Sequence, residues 1–349
     1  MRVGQWLGVI AVIISLYILW QIRQVLLLVF AAVVFATVLN RVVRVLQRWR
    51  VKRGIAIAIT LILLGVVLFG LFAIIIPRLS GQLLQLVDTL PAAVDRVRAL
   101  YDWVQARIPG QILDNSRILE NFTQTVRAWV TGLIGNFFFL ARNSVSAVLS
   151  FLLFLAATIM LLVNPAPYRR VFTLAFPAFY RERVNTILNE CETSLVGWIR
   201  GTLIAMVTIG TVSYLGLLLL GIPLPLVNAL LAGLLEFIPN VGPTLSVIPP
   251  MLLAFLVEPW KAIAVIVLYI LIQQFESLVL VPFLMEQEVS LLPLFTILSV
   301  VVFSIFFGFL GLFLAVPLLI VLQIWVKEVL VHDVLDQWRG KPAQSRQDN

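Results

Sequence analysis

Glu236 is the only acid between Arg200 and Glu258, and it stands inside an almost unbroken apolar run, 226–257. An ionisable group at membrane depth is expensive and marks a functional candidate by default. Its carboxyl could accept a proton, hold a cation, or accept hydrogen bonds from a polyhydroxylated solute. It could equally do no more than cap a broken helix or pair with a distant arginine. Glu236 lies about 10 residues into its arm, roughly 15 Å along a helix at ~1.5 Å per residue, which places it near a bilayer midplane.

A second polar patch lies at Gln273, Gln274 and Glu276, inside the apolar run 262–284. Gln273 and Glu276 are three apart and so share a helix face. Together they offer the donors and acceptors that a neutral, hydroxyl-rich ligand needs. The alternative is hydrogen bonding between helices that only holds a bundle together. Asn228 and Asn240 are further binding candidates, and at each an amide can instead satisfy loose backbone groups. Pro239, Gly242 and Pro243 should shape the break beside Glu236, as Gly308, Gly311 and Pro317 should shape a later one.

Little other chemistry is available. One cysteine, Cys191, excludes an intramolecular disulfide, and one histidine, His332, falls near the polar C-terminal tail. That combination argues against a His/Cys metal site or haem. No P-loop is present, so ATP hydrolysis by this chain is not expected. No Ser/His/Asp or Cys/His nucleophile set exists, and no helix carries the paired aspartates of an intramembrane protease. The reading is therefore a non-enzyme with no cofactor and no metal.

The elements that must position these groups are membrane helices. Of 349 residues, 61% are hydrophobic and only 12% charged, with mean hydropathy +1.06; a soluble domain carries about 25% charge. Membrane-compatible runs occur at 6–20, 25–39, 55–76, 145–163, 202–220, 226–257, 262–284 and 291–326. The first has no small-residue cleavage site after it and is read as a retained helix. The net charge of +8 reads as a topology signal rather than as nucleic-acid binding. Arg41, Arg44, Arg48, Arg50, Lys52 and Arg53 form a cluster without an acid, and Arg169, Arg170, Arg181, Arg183 and Arg200 form another. Both fit the cytoplasm, which puts the N- and C-termini inside and segment 77–143 outside.

That segment has its own order. Leu83, Val87, Leu90, Val94, Val97, Tyr101, Val104 and Ile108 make an apolar stripe with spacings of four and three. Thr89 before Pro91 reads as a helix restart. A second amphipathic stretch passes through Ile118, Phe122, Val126, Trp129 and Leu133. Such a pair either joins subunits or lies on a membrane surface or on its own chain.

The C-terminal half reads as two copies of one unit. In the first, helix 202–220 ends at Gly221-Ile222-Pro223, and run 226–257 follows with its Gly242-Pro243 break and Pro249. In the second, helix 262–280 ends at Val281-Pro282, and run 291–326 follows with a Gly308-Phe309-Leu310-Gly311 break and Pro317. The arm before Pro239 is far short of the ~20 residues needed to cross. If each broken run is a re-entrant hairpin, the two units have opposite topology, as in inverted-repeat transporters. The expected fold is all-α and polytopic, with about eight membrane helices or hairpins and a C-terminal inverted repeat of helix plus re-entrant hairpin. Its expected divisions are N-terminal scaffold helices (1–76), an extracytoplasmic amphipathic segment (77–143), a membrane helix with cytoplasmic connector (144–200), the transport repeat (201–331) and a polar cytoplasmic tail (332–349).

The motif Glu236-Phe237-Ile238-Pro239-Asn240-Val241-Gly242-Pro243, the Glu276 helix and the closing Gly308-Phe309-Leu310-Gly311-Leu312-Phe313-Leu314-Ala315-Val316-Pro317 resemble the autoinducer-2 exporter family of bacterial membrane proteins. The likeness covers nearly the whole chain. It implies pentameric homo-oligomers in the bacterial inner membrane and movement of solute without ATP. It also implies two substrate classes: a small polar signalling metabolite, or sodium or lithium ions exchanged for protons. The leading expectation is a secondary exporter of a small polar metabolite, working by alternating access of the hairpin repeat. Its rivals are a cation/proton antiporter coupled through Glu236 and Glu276, and a structural or regulatory membrane protein that uses 77–143 to bind a partner. Buried acids on broken helices argue against the last.

Overall fold

Apolar runs of this length can satisfy their backbone hydrogen bonds in lipid only as helices or closed barrels, and here they are helices. A computed structural model describes residues 17–105, 144–285 and 293–335, with a few single positions besides, and no strand occurs among them. The helices are α1 (Arg23–Arg48), α2 (Arg53–Gln105), α3 (Ser144–Val163), α4 (Pro165–Leu174), α5 (Arg181–Leu219), α6 (Pro225–Leu235), α7 (Val241–Ser246), α8 (Ile248–Val257), α9 (Pro259–Phe275), α10 (Val281–Met285), α11 (Pro293–Phe313) and α12 (Ala315–Trp325). π-helical turns occupy Glu276–Leu280, between α9 and α10, and Val326–Leu335 after α12.

Five helical stretches are long and apolar enough to cross a membrane: Arg23–Arg48, Arg53–Arg78, Ala178–Leu219, Trp260–Phe283 and Leu294–Phe313. A sixth candidate is the α3–α4 pair, bent by 94°. Of run 6–20 only residues 10, 13–15 and 17–20 are described; the second amphipathic stretch, 118–133, falls almost wholly outside the described residues, and the tail beyond 335 wholly so. Proline opens α4, α6 and α9, where its missing N–H is no loss. The helix restart expected at Pro91 does not occur. α2 runs unbroken from Arg53 to Gln105, through Pro77 and Pro91, so two lost backbone hydrogen bonds are absorbed within one rod. It carries the apolar stripe as far as Val104.

The chain forms two interleaved compact units. One comprises residues 1–60, 152–200 and 287–349, the other 61–151 and 201–286. In the first unit, Val34 of α1, Ile187, Cys191 and Leu195 of α5, and Val316, Ile320 and Ile324 of α12 share one buried cluster. Glu328 is 7% exposed and pairs with Arg183 at 2.7 Å. In the second unit, Leu217 of α5, Ala232 of α6, Ala254 of α8 and Ala262, Val265 and Tyr269 of α9 meet in another cluster. Ile209, Ile272 and Leu280 extend the packing of α5 against the second half of the α9 span.

Candidate functional site

The first broken run folds as three short helices, α6, α7 and α8, none long enough to cross a bilayer alone. α6 stops at Leu235, and Glu236 is the residue that closes it. Ile238 N–H donates to Leu235 O at 2.9 Å, and Gly242 N–H donates to Ile238 O at 2.8 Å. The chain therefore turns through tight local hydrogen bonds. Asn240 takes a left-handed φ of 65° at the start of α7, a conformation that asparagine tolerates better than most residues. A methyl group on Gly242 would collide with the carbonyl of Leu235. Glycine is required there because the two arms of the break touch backbone to backbone.

This turn delivers Glu236 into the interior of its unit. The residue is 5% exposed, its Oε2 has no hydrogen-bond partner, and it makes no ion pair among the described residues. Its carboxyl faces that of Glu276. Glu276 is the first residue of the π-helical turn that interrupts the α9 span. Such turns insert an extra residue into a helix and recur at functional sites. Gln273, one turn earlier, donates from Nε2 to Glu276 Oε2 at 2.7 Å. Two acids and one amide from α6 and the α9 span thus converge. Two carboxylates facing each other in a low-dielectric surrounding repel, and a cation, a proton or a hydroxyl donor between them relieves that repulsion.

The remaining candidates divide. Asn228 is fully buried on α6; its Nδ2 donates to Pro223 O at 3.3 Å and Leu224 O at 3.2 Å, while Oδ1 is unpartnered. Asn240 is exposed, and its side chain makes no cap bond to α7; its carbonyl accepts from Thr244 Oγ1 at 2.8 Å. Gln274 is exposed, on a different face from Gln273. Pro239, Gly242 and Pro243 form the break itself. Gly308 and Gly311 form the corresponding break in α11, and Pro317 is buried near the start of α12.

Two residues escaped the sequence reading. Ser213 on α5 and Tyr269 on α9 are 0% and 9% exposed; their hydroxyls lie beside each other, and neither makes a hydrogen bond of good geometry among the described residues. The available signal was the spacing of Tyr269, Gln273 and Glu276, four and three apart, which puts them on one stripe of a helix.

The whole arrangement is a polar patch walled by apolar helices, reached by a broken helix. The chain matches the AI-2E family transporter description over residues 9–331. It belongs to that family. It is 28% identical to the AI-2 transport protein TqsA of Escherichia coli (strain K12) over 302 residues, which covers 85% of this chain and 84% of TqsA. It is 25% identical to YueF of Bacillus subtilis (strain 168) over 297 residues, 82% of this chain and 79% of YueF. MT0215 of Mycobacterium tuberculosis is 27% identical over 320 residues, 90% of this chain and 85% of that protein. The AI-2E chain described here is thus a multi-pass membrane protein of a bacterial transporter family, with a role in membrane transport.

Proposed function

We propose that the chain is a secondary exporter of a small polar metabolite, and that the solute is held by Glu236, Gln273 and Glu276. The observation that carries this reading is a buried acid with an unpartnered oxygen, facing a second acid on a π-helical turn. An unsatisfied buried acceptor costs about 1–3 kcal/mol, more when charged, so a ligand that donates hydrogen bonds there gains affinity from the mismatch. TqsA's name supplies the substrate class: an autoinducer-2-like, hydroxylated signal. Alternating access by the C-terminal hairpins would carry it across the bacterial inner membrane. The N- and C-termini would face the cytoplasm beside the basic clusters, and the working form would be a homo-oligomer.

A second reading is sodium- or lithium/proton antiport, and the facing pair of carboxyls favours it specifically. One experiment separates the two. Purified protein in liposomes is assayed for uptake of a labelled hydroxylated furanone and for sodium- or lithium-driven proton movement. Glu236→Gln and Glu276→Gln should each reduce transport more than they reduce expression or assembly. Furanone uptake that survives Gln but not Ala favours hydrogen bonding of a neutral solute. Ion-driven proton movement lost with Gln favours antiport. Normal activity of both Gln variants in both assays would remove these residues from the site.

A further inference from the structure

Four buried polar side-chain atoms lack a hydrogen-bond partner among the described residues: Ser213 Oγ, Asn228 Oδ1, Glu236 Oε2 and Tyr269 OH. All four belong to the second compact unit. Native interiors rarely leave such atoms unpaired, and each one asks for a ligand or an ordered water. Glu236 is accounted for by the site above. The other three are not.

Ser213 departs from the pattern of its own protein. The buried hydroxyls of Thr60 and Thr158 donate to the carbonyls of Ala56 and Phe154, both at 2.8 Å. Those of Thr173, Ser246 and Ser299 donate to Arg170 O, Pro243 O and Thr296 O at 2.9, 2.8 and 2.8 Å. A helical serine in hydrocarbon has this bond to its own preceding turn always within reach. Ser213, at 0% exposure, does not take it; its hydroxyl instead faces that of Tyr269. Neither hydroxyl satisfies the other.

All three residues stand in, or one turn from, a single packing cluster. Tyr269 stands on the α9 stripe seven residues before Glu276, about 10 Å at ~1.5 Å per residue. Asn228 stands eight residues before Glu236 on α6, one turn before Ala232, which packs in the same cluster as Tyr269. Leu217, one turn beyond Ser213 on α5, joins that cluster too. The carboxyl pair and the uncharged hydroxyl–amide group therefore lie about two helical turns apart along α6 and along the α9 span.

We propose that Ser213, Tyr269 and Asn228 form a second, neutral subsite that takes a hydroxyl or carbonyl group of the solute, or the same group in transit to the carboxyl pair. The proposal rests on the transporter reading, but its test does not require the natural substrate. Each subsite atom is a hydroxyl or amide oxygen, and no described acid or base belongs to the group. A bulky tetraalkylammonium therefore finds no counter-charge there to offset its desolvation, whereas the Glu236–Glu276 end offers carboxyls.

The test is thiol accessibility in full-length protein in liposomes, in a Cys191→Ala background. Ser213→Cys changes one atom. With the water-soluble neutral reagent 2-hydroxyethyl methanethiosulfonate it should react about tenfold faster than Leu217→Cys, because cysteines packed in apolar surroundings are inert. The trimethylammonium analogue of the reagent should react with it more slowly than the neutral one. In separate protein, Tyr269→Phe should leave the thermal midpoint unchanged or raised, because it deletes an unpaired hydroxyl. Three results each overturn the proposal: Ser213→Cys as inert as Leu217→Cys, labelling only by the cationic reagent, or clear destabilisation by Tyr269→Phe, which would make the two hydroxyls a structural staple. Adding Glu236→Gln separates this idea from the one it rests on. Labelling at position 213 that persists while transport is lost keeps the subsite with the carboxyl site. Labelling that persists with transport intact leaves a solvated pocket without the site, and the subsite falls with it.

Discussion

The two broken runs, α6–α8 in one unit and α11–α12 in the other, use the same backbone device for different ends. Each turns at a residue with φ of 65°, Asn240 in the first and Gly308 in the second. Each has a glycine shortly afterwards whose hydrogen lies against a carbonyl of the preceding arm, Leu235 O for Gly242 and Phe303 O for Gly311. At the first break the side chains are Glu236 and Asn240. At the second they are glycine and phenylalanine, and the nearby hydroxyls of Ser299 and Ser304 donate back to Thr296 O and Val301 O at 2.8 Å. The backbone device is structural in both; only the first brings an unpartnered acid inside.

The same contrast holds between the two buried acids. Glu328 is paired with Arg183 at 2.7 Å and with Lys327 at 3.8 Å, whereas Glu236 has no cation among the described residues. A paired acid is part of what holds its unit together, and an unpaired one is held ready for something else. The largest expected effect breaks the first half of that statement. Arg183→Ala removes the short partner of Glu328 and leaves it Lys327, at 3.8 Å; it should cost about 3 kcal/mol, toward the low end for such pairs, because the Arg183 side chain is 32% exposed and Lys327 remains. Thermal unfolding of the purified protein measures this, and Arg183→Met with Glu328→Leu should recover most of the loss.

The next effect tests the shared backbone device. Gly242→Ala and Gly311→Ala each push a methyl group into a backbone carbonyl. Each should destabilise by about 2 kcal/mol, within the range for overpacking. In liposomes Gly242→Ala should lose more transport than Gly311→Ala, because only its break carries Glu236. Equal losses would mean that both breaks serve the solute.

Much of this was legible in the sequence because breaks and buried acids are loud signals. Proline and glycine punctuate apolar runs, so both breaks and the short arm before Pro239 could be read directly. Glu236, Gln273 and Glu276 stood out because ionisable and amide groups are rare in such runs. Other features are tertiary and leave no local trace. Whether Ser213 donates to its own helix or faces Tyr269 depends on what packs against it, so the residue type alone was silent. The π-helical turn at Glu276 adds one residue to an otherwise ordinary helix, and composition does not register it. Pro91 misled, since proline disfavours a helix interior but does not forbid one. The two breaks, alike in sequence, belong to different compact units, which no pattern within either run could reveal.

The smallest stability effect is also the sharpest probe of the comparison. Glu236→Gln keeps the size of the side chain and its capacity to accept a hydrogen bond. It removes an ionisable group that faces Glu276 and that no described lysine or arginine neutralises. Nothing in the folded unit loses an ion pair, and the amide can still hydrogen-bond Glu276, so stability should change by less than about 1 kcal/mol. For a chain of this size that corresponds to a shift in the unfolding midpoint of about 2 °C or less. Transport should nevertheless fall by more than any loss of folded protein explains, which is the reverse of the pattern for Arg183→Ala, where stability falls first. Paired measurements of unfolding midpoint and liposome transport on both variants place each acid. A Glu236→Gln protein destabilised as much as Arg183→Ala, with transport falling only in proportion to folded protein, would show that Glu236 is held by an interaction of the structural kind and would end its candidacy as a solute ligand.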